Sequence, residues 1–168
     1  MTISMYQAAV PTITRSLANL AAILEKGAAH AEAKNIDPAV LVSSRLYPDM
    51  LPLAKQVQIA ADISKGGLAR LARVEPPAFE DKETTFAELI ERLHKTIAFI
   101  ETLKPPQIDG SEDRTVTWQT RTATKSMQGM PYLLNHVLPN VFFHVATAYD
   151  ILRHNGVEIG KQDFLGKS

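Results

Sequence analysis

Cysteine is absent from this chain of 168 residues. Its absence excludes a disulfide framework, a cysteine-ligated zinc or iron–sulfur centre, and a thiol nucleophile belonging to the protein. Neither sign of charge is in excess, because 18 Lys and Arg residues stand against 18 Asp and Glu residues. A nucleic-acid partner is therefore not expected, since contacts to phosphates require a basic surface.

Long hydrophobic runs are missing as well. The stretch 141–145 is interrupted by His144, and it is far shorter than the roughly 20 apolar residues that cross a bilayer. Residues 1–7 lack the basic stretch and apolar core of a signal peptide. The sequence therefore predicts a soluble, cytoplasmic protein without a membrane partner.

The chain does contain four long stretches in which apolar residues recur at spacings of three and four, which is typical of helices with one buried face. These stretches run from Met5 to about Ala33, from Met50 to Leu71, from Phe86 to Leu103 and from about Pro131 to His154. A shorter helix is predicted from Pro38 to about Leu46, with Asp37 as its N-cap. β-Branched and aromatic residues at 115–124 predict a small two-stranded hairpin.

These elements together predict an all-α protein in which residues 1–168 form a single helical-bundle domain. The bundle has a short extra helix and a hairpin between its third and fourth helices. Pro139 either kinks the last helix or begins its second part. Phe164 and Leu165 are expected to pin the tail to the body.

The last helix carries the densest set of polar residues. At about 100° per residue, Asn140 and His144 lie four residues apart on a stripe that also contains Val141 and Ile151. His144 is therefore predicted to point into the bundle, as a ligand-binding or metal-ligating group. The alternative is a buried histidine that hydrogen-bonds to a neighbouring helix.

Helix two offers a possible opposing wall for this site. Asp49 and Gln56 lie seven residues apart on one flank of the helix, although Asp49 is also placed to cap it and Gln56 to be a boundary residue. Tyr47 and Trp118 are candidates for lining a pocket, although such residues are more often core or rim aromatics, because large aromatic side chains bury area first. The basic residues within 65–73 are expected on a solvated face.

Two motifs resemble an uncharacterised bacterial branch of the DinB/YfiT-like superfamily. The longer motif covers residues 138–156 (LPNVFFHVATAYDILRHNG) and continues through residues 160–166 (GKQDFLG). The shorter one is RLYPDM at residues 45–50. With the helix pattern, the resemblance extends over nearly the whole chain.

The resemblance implies a four-helix bundle with an up-down-down-up course, commonly dimeric, that often holds a divalent metal through three histidines. Two of these histidines lie four residues apart on the last helix, and the third lies on helix two. Here His144 matches the second histidine of the pair, Asn140 stands at the place of the first, and residues 50–73 contain no histidine. Some members of the superfamily use the metal to activate a low-molecular-weight thiol.

Three functions follow as expectations. In the first, a homodimer holds a small molecule in an inter-helix cavity without the usual three-histidine metal, with His144 as the central polar group. In the second, His144 and oxygen ligands hold a divalent metal (Zn, Ni or Mn) for thiol transfer or hydrolysis. In the third, the polar groups only satisfy one another, and an exposed apolar face makes a structural dimer.

Overall fold

The structure, a computed structural model, describes residues 2–120 and 122–166. Its helices are α1 (Met5–Ala33), α2 (Pro38–Ser43), α3 (Leu53–Ala72), α4 (Phe86–Thr102), α5 (Pro105–Ile108), α6 (Gly129–Tyr132), α7 (Leu138–His154) and α8 (Lys161–Leu165). Strands β1 (Thr115–Gln119) and β2 (Thr124–Gln128) form an antiparallel hairpin, and one π-helical turn, Leu133–Val137, joins α6 to α7. The predicted all-α bundle with a small hairpin is confirmed.

Capping residues begin the helices where the sequence predicts. The hydroxyl of Thr85 accepts the Glu88 amide at 3.2 Å, and the Glu88 carboxylate accepts the Thr85 amide at 3.0 Å, which is a capping box at the start of α4. Asp37 accepts the Ala39 amide at 2.9 Å at the start of α2. These local hydrogen bonds satisfy amides that have no partner within the helix.

Helix α3 begins at Leu53, three residues later than the predicted start at Met50. Its N-cap is Pro52, and a proline disfavours helical geometry in the residue that precedes it, here Leu51. The prediction that Asp49 caps this helix is therefore wrong, because Asp49 lies outside it in an exposed turn. Residues 44–52 form a loop that leads into the helix.

Helices α1 and α4 are antiparallel neighbours, and α1 and α7 are parallel. A Cβ atom on Gly27, late in α1, would lie 3.0 Å from the ring of Phe86 at the start of α4 and 3.2 Å from Leu152 near the end of α7. At the other end of α1, the amide of Tyr6 donates to Asp109, just beyond α5, at 2.8 Å. The short helix α5 thus closes the bundle at the end where α1 begins.

Helices α3 and α7 are antiparallel, whereas α3 and α4 are parallel. Arg92 of α4 contacts Asp62 of α3, and Gln58, near the start of α3, contacts the residue Glu83 that precedes α4. Arg70, late in α3, donates instead to Tyr132, which precedes α7. The course up-down-down-up, implied by the sequence resemblance, is therefore the one observed.

Pro139 lies in the first turn of α7, immediately after the π-helical turn. Proline has no amide donor, and its ring would clash with the carbonyl four residues earlier in a regular α-helix. The helix therefore widens to a π-helical turn, in which the amide of Leu138 donates to the carbonyl of Leu133, five residues back. A Cβ on Gly67 would lie only 2.8 Å from the Val137 side chain, so glycine allows α3 to approach this turn. Of the two predicted roles of Pro139 in the stretch from Pro131 to His154, the one observed is that it begins the second part of the helix.

The tail is attached to α1 through α8. Phe164 is half-buried and its ring meets Tyr149 edge-on, with 6.3 Å between centroids. The side chain of Leu165 is exposed, but its carbonyl accepts the Arg15 Nε–H at 3.1 Å. Phe164 therefore behaves as predicted, whereas Leu165 contributes its backbone. Among the described residues, no helix is both long and apolar enough to span a membrane.

Candidate functional site

The central contact of the candidate site joins α7 to α3. His144 Nδ1 lies 2.7 Å from Gln56 Oε1, and Gln56 Nε2 donates to the Leu51 carbonyl at 3.0 Å. Gln56 is buried and His144 is half-buried at the border of the apolar stripe formed by Val141 and its neighbours. The structure thus brings together two of the predicted site residues from different helices.

This arrangement determines which nitrogen of His144 carries the proton. Because the amide nitrogen of Gln56 is used on Leu51, the oxygen of Gln56 is the atom that faces the imidazole, and it can only accept. Nδ1 must therefore be the protonated nitrogen, and Nε2 carries the lone pair. Nε2 has no hydrogen-bond partner within the described part of the chain. It is not one of the fully buried polar atoms, so a ligand or water can reach it.

Burial lowers the pKa of His144 below its ordinary value of 6.5. Desolvation disfavours the charged imidazolium, so the ring is neutral at neutral pH. A neutral ring with a protonated Nδ1 presents Nε2 as a hydrogen-bond acceptor or as a base. The chemistry on offer at this position is therefore acceptance of a proton or of a hydrogen bond.

Asn140 lies one helical turn before His144. Its Nδ2 donates to the His136 carbonyl at 2.5 Å and lies 3.5 Å from His136 Nδ1. The amide nitrogen therefore donates to the backbone of the preceding π-helical turn, and Oδ1 is left as the acceptor. Side chains four residues apart share one helix face, so this oxygen and His144 Nε2 are neighbouring acceptors.

Tyr47 and Asp49 lie in the loop between α2 and α3, and both are exposed. The side chain of Tyr47 is 65% exposed, so it is neither a core nor a pocket aromatic in the chain as it stands. Phe143, which is 58% exposed, meets the His144 ring edge-on at 5.3 Å between centroids. The aromatic ring beside the imidazole is thus one that sequence reasoning missed.

Trp118 belongs to a different cluster. It is 8% exposed, and its ring lies 4.7 Å from that of His136 in a stacked geometry and 4.9 Å from that of Tyr132. The centroids of Tyr132 and His136 are 5.5 Å apart. His136 is half-buried against the hairpin.

A second polar group, Arg92, is buried between α4 and α3. Its two terminal nitrogens donate to the carboxylates of Asp62, Asp81 and Glu83 at 2.8–2.9 Å and to the Glu80 carbonyl at 3.1 Å. These bonds tie residues 80–83, ahead of α4, to the bundle. A cavity of about 440 Å³ lies beside Arg92, between residues 78–83 and α4.

Lys65 and Phe79 complete the surroundings of Arg92. Lys65 is buried, pairs with Asp62 at 2.8 Å and lies 4.8 Å from the centroid of the Phe79 ring. The expectation that the basic residues of 65–73 share a solvated face is therefore wrong for Lys65. The intervening residues between α3 and α4 fold back over this lysine, which periodicity along α3 cannot reveal.

The described residues do not form the three-histidine metal centre that the sequence resemblance implies. Within residues 2–120 and 122–166, no three His, Cys, Asp or Glu side chains converge as a metal centre would require. The oxygen of Gln56 is occupied by His144, and the amide nitrogen of Asn140 is turned to the backbone. One imidazole nitrogen with a neighbouring amide oxygen does not make the three-ligand set of a catalytic zinc.

Comparisons with known proteins agree with this fold. Residues 5–165 match the family described as Domain of unknown function (DUF1993). The chain is also similar to a DinB family member from Shewanella denitrificans, seen in a crystal structure, with a TM-score of 0.89 and 40% sequence identity over 97% of this chain and 92% of that one. A comparison with curated proteins found no match. The chain therefore belongs to the DUF1993 family, and its fold is that of a DinB-like four-helix bundle.

Proposed function

We propose that this protein binds a small molecule bearing a hydrogen-bond donor, at the α3–α7 seam beside His144, without a three-histidine metal. The observation that supports the proposal is the 2.7 Å contact of His144 Nδ1 with Gln56 Oε1, which leaves Nε2 as an acceptor. Asn140 Oδ1 supplies a second acceptor one turn away. A hydroxyl, a thiol or a protonated amine has the complementary chemistry.

The electrostatics of the seam favour such a ligand. The lowered pKa of His144 keeps the ring uncharged, so Nε2 accepts without first losing a proton. Gln56 holds the ring in one orientation, which reduces the entropy lost when a ligand binds. Phe143 provides an exposed apolar surface for the carbon portion of the ligand.

The first experiment records long-range ¹H–¹⁵N NMR spectra of the histidine rings. The proposal expects His144 to be protonated at Nδ1 and unprotonated at Nε2 at neutral pH. Titration with ethanolamine or 2-mercaptoethanol is then expected to shift the Nε2 resonance saturably, whereas dimethyl sulfoxide, which has no donor, leaves it unchanged.

A pair of variants separates this site from general effects. His144→Gln is expected to abolish the saturable response, measured by the thermal shift that each probe produces. His154→Gln, which changes an exposed histidine on the same helix, serves as the matched control and is expected to respond as the wild type does. A proton found on Nε2, or an unresponsive His144 ring, would refute the proposal.

Metal analysis tests the alternative of a divalent-metal thiol transferase or hydrolase. The protein is purified without an affinity tag or chelator, and it is compared with His144→Ala after incubation with zinc, nickel or manganese. If the wild type contains near-stoichiometric metal and His144→Ala does not, the metal-dependent activity would replace the small-molecule proposal. Absence of metal from both proteins would favour the metal-free site.

The homodimer and the cytoplasmic location stay predictions. The exposed apolar side chains of Phe142, Phe143 and Leu51 lie close in sequence to the His144–Gln56 pair, and they are the surface that a dimer would cover. Sedimentation equilibrium of the wild type and of Phe143→Ser is the test. A wild-type dimer that the variant weakens is the expected result.

A further inference from the structure

Three basic side chains, none of which contacts His144 or Gln56, gather around the aromatic rings of the hairpin. Arg70 from α3, Lys125 from β2 and His136 from the π-helical turn are named here the cationic cluster. They lie around the rings of Trp118 and Tyr132, which pack under His136. Three different elements of the chain thus contribute to one surface.

Arg70 is held in place by its neighbours. Its Nη1 donates to the hydroxyl of Tyr132 at 3.3 Å, and it would lie 2.9 Å from a Cβ atom on Gly66. The guanidinium therefore lies against the backbone of its own helix, in space that only glycine leaves free. The other guanidinium nitrogens have no hydrogen-bond partner within the part of the chain described and remain free to bind.

Lys125 is placed by the register of the hairpin. It is the direct cross-strand partner of Trp118, so both side chains extend from the same face of the sheet. Trp118 is the buried member of this pair, and Lys125 is exposed. The ammonium group is thus carried to the edge of the ring stack on which His136 lies.

The charge of the cationic cluster is not balanced by the described residues around it. Neither Arg70 nor Lys125 makes an ion pair with a carboxylate there, although Lys65, on the same helix α3, pairs with Asp62 at 2.8 Å. Burial lowers the pKa of His136, and the charges of Lys125 and Arg70 lower it further. Both cations therefore act on one imidazole, and like charges held near one another attract a counterion.

We propose that the cationic cluster is a binding site for a small oxyanion, a carboxylate or a phosphate group. The forked donors of Arg70 match the planar geometry of such a group, and Lys125 supplies a second, mobile charge. Trp118 is covered by His136, so the ligand contacts the charged rim and not the indole face. The cluster adjoins the His144 site, because the Asn140 amide donates to the His136 carbonyl. Arg70 and Lys125 contact neither residue of the His144–Gln56 pair, however, and the two proposals are tested separately.

Tryptophan fluorescence tests the proposal directly, because Trp118 is the only tryptophan in the chain. The purified protein is titrated with inorganic phosphate and, separately, with acetate, each at constant ionic strength against chloride. We expect a saturable change in Trp118 emission that chloride does not produce. The tighter of the two anions identifies the group that the cluster prefers.

Charge-removing variants locate the response. Arg70→Gln and Lys125→Gln are each expected to raise the half-saturating anion concentration about tenfold, because each removes one charged hydrogen bond to the anion. Lys34→Gln changes an exposed lysine at the end of α1 and is the matched control. It is expected to bind as the wild type does.

Gly66→Ala is a further variant that leaves every charge in place. Its Cβ meets the flexible end of Arg70, so the helix is retained while the guanidinium is displaced. Binding is expected to weaken, with the circular dichroism spectrum unchanged. Equal responses to phosphate, acetate and chloride, no response at all, or a response that persists in both charge-removing variants would overturn the proposal.

Discussion

Arg92 of α4 and His144 of α7 both contact α3, and they differ in burial and in the number of hydrogen bonds that they make. The Arg92 side chain is 1% exposed and makes hydrogen bonds to three carboxylates and one carbonyl. His144 is half-buried and makes one hydrogen bond, to Gln56. Arg92 ties down a connecting segment, whereas His144 keeps one nitrogen free.

The physical reason is the cost of burying charge. A permanently charged guanidinium that is removed from water must be paired with carboxylates. The polar groups around it are therefore engaged in that pairing and are not available to a ligand. An imidazole can shed its charge by a lowered pKa, so one hydrogen bond is enough to orient it. Buried charged groups with several ion pairs therefore mark the frame of this protein, and accessible neutral groups with an unused acceptor mark its candidate binding surface.

Removal of Arg92 is expected to have the largest effect on the stability of the protein. Arg92→Met is expected to lower the free energy of unfolding by about 2–3 kcal/mol, because Glu83, with 12% of its side chain exposed, loses its cation. Urea denaturation measures the change. Lys95→Met removes an exposed pair with Glu91 and is expected to cost less than about 0.5 kcal/mol. Equal effects of the two variants would contradict a structural role for Arg92.

Acid should dismantle the Arg92 network next. Burial alone would raise the pKa of Glu83, but the hydrogen bonds that its carboxylate accepts from Arg92, from the backbone and from Gln58, together with the charge of Arg92, outweigh burial, and the pKa falls below its ordinary 4.5. Burial likewise opposes the net lowering of the pKa of Asp81, which the Lys55 hydrogen bond and the charge of Arg92 produce.

A carboxyl whose pKa is depressed by folding stabilises the protein above its ordinary pKa and loses that contribution as the pH falls through the lowered value. Stability that depends on Arg92 is therefore expected to hold down to pH 4.5 and to decline below it. Urea midpoints of the wild type and Arg92→Met, measured from pH 6 to 3, should converge on acidification. Curves that stay parallel would contradict the pairing.

A double-mutant cycle on His144 and Gln56 addresses the other region. Each alanine variant is expected to cost about 1–2 kcal/mol, because the remaining partner of a half-buried hydrogen bond is left unpaired. The coupling energy from the double variant is expected to be about 1 kcal/mol. Strict additivity would show that the 2.7 Å contact does not contribute to stability.

The smallest expected effect is the acid dependence of the histidine region. Because burial lowers the pKa of His144 below 6.5, the unfolded chain binds the proton more strongly than the folded one. Stability is therefore complete above pH 6.5 and declines as the pH falls through the folded pKa. His144→Gln should reduce the pH dependence of the thermal midpoint between pH 7 and 5, and His136, whose pKa burial also lowers, should supply the remainder.

Local patterns gave most of the fold. The Asp37 cap, the apolar stripes and the β-branched run predicted the four long helical stretches, the short helix α2 and the hairpin to within a few residues. The exceptions lie at prolines. Pro52 delays the start of α3, and Pro139 begins the second part of the last helix, as one of its two predicted roles required, after a π-helical turn that was not predicted.

The candidate site was predictable in part. Helical spacing placed Asn140 and His144 on one face, and the flank of helix two supplied Gln56. Trp118 was assigned to the same pocket, whereas its ring contacts join it to His136 and Tyr132. Lys125 could have been found from the sequence only with the hairpin register, since that register is what sets it beside Trp118.

Residue type and spacing along the chain are enough to predict the helices and the bundle class, and they show that residues 50–73 contain no histidine. Tertiary structure alone decided which polar atoms pair and which remain free. Gln56 and His144 are 88 residues apart, and Arg70 and Tyr132 are 62 apart. Such contacts depend on helix rotation and close approach, which the π-helical turn and the glycines of α3 set only once the bundle has packed.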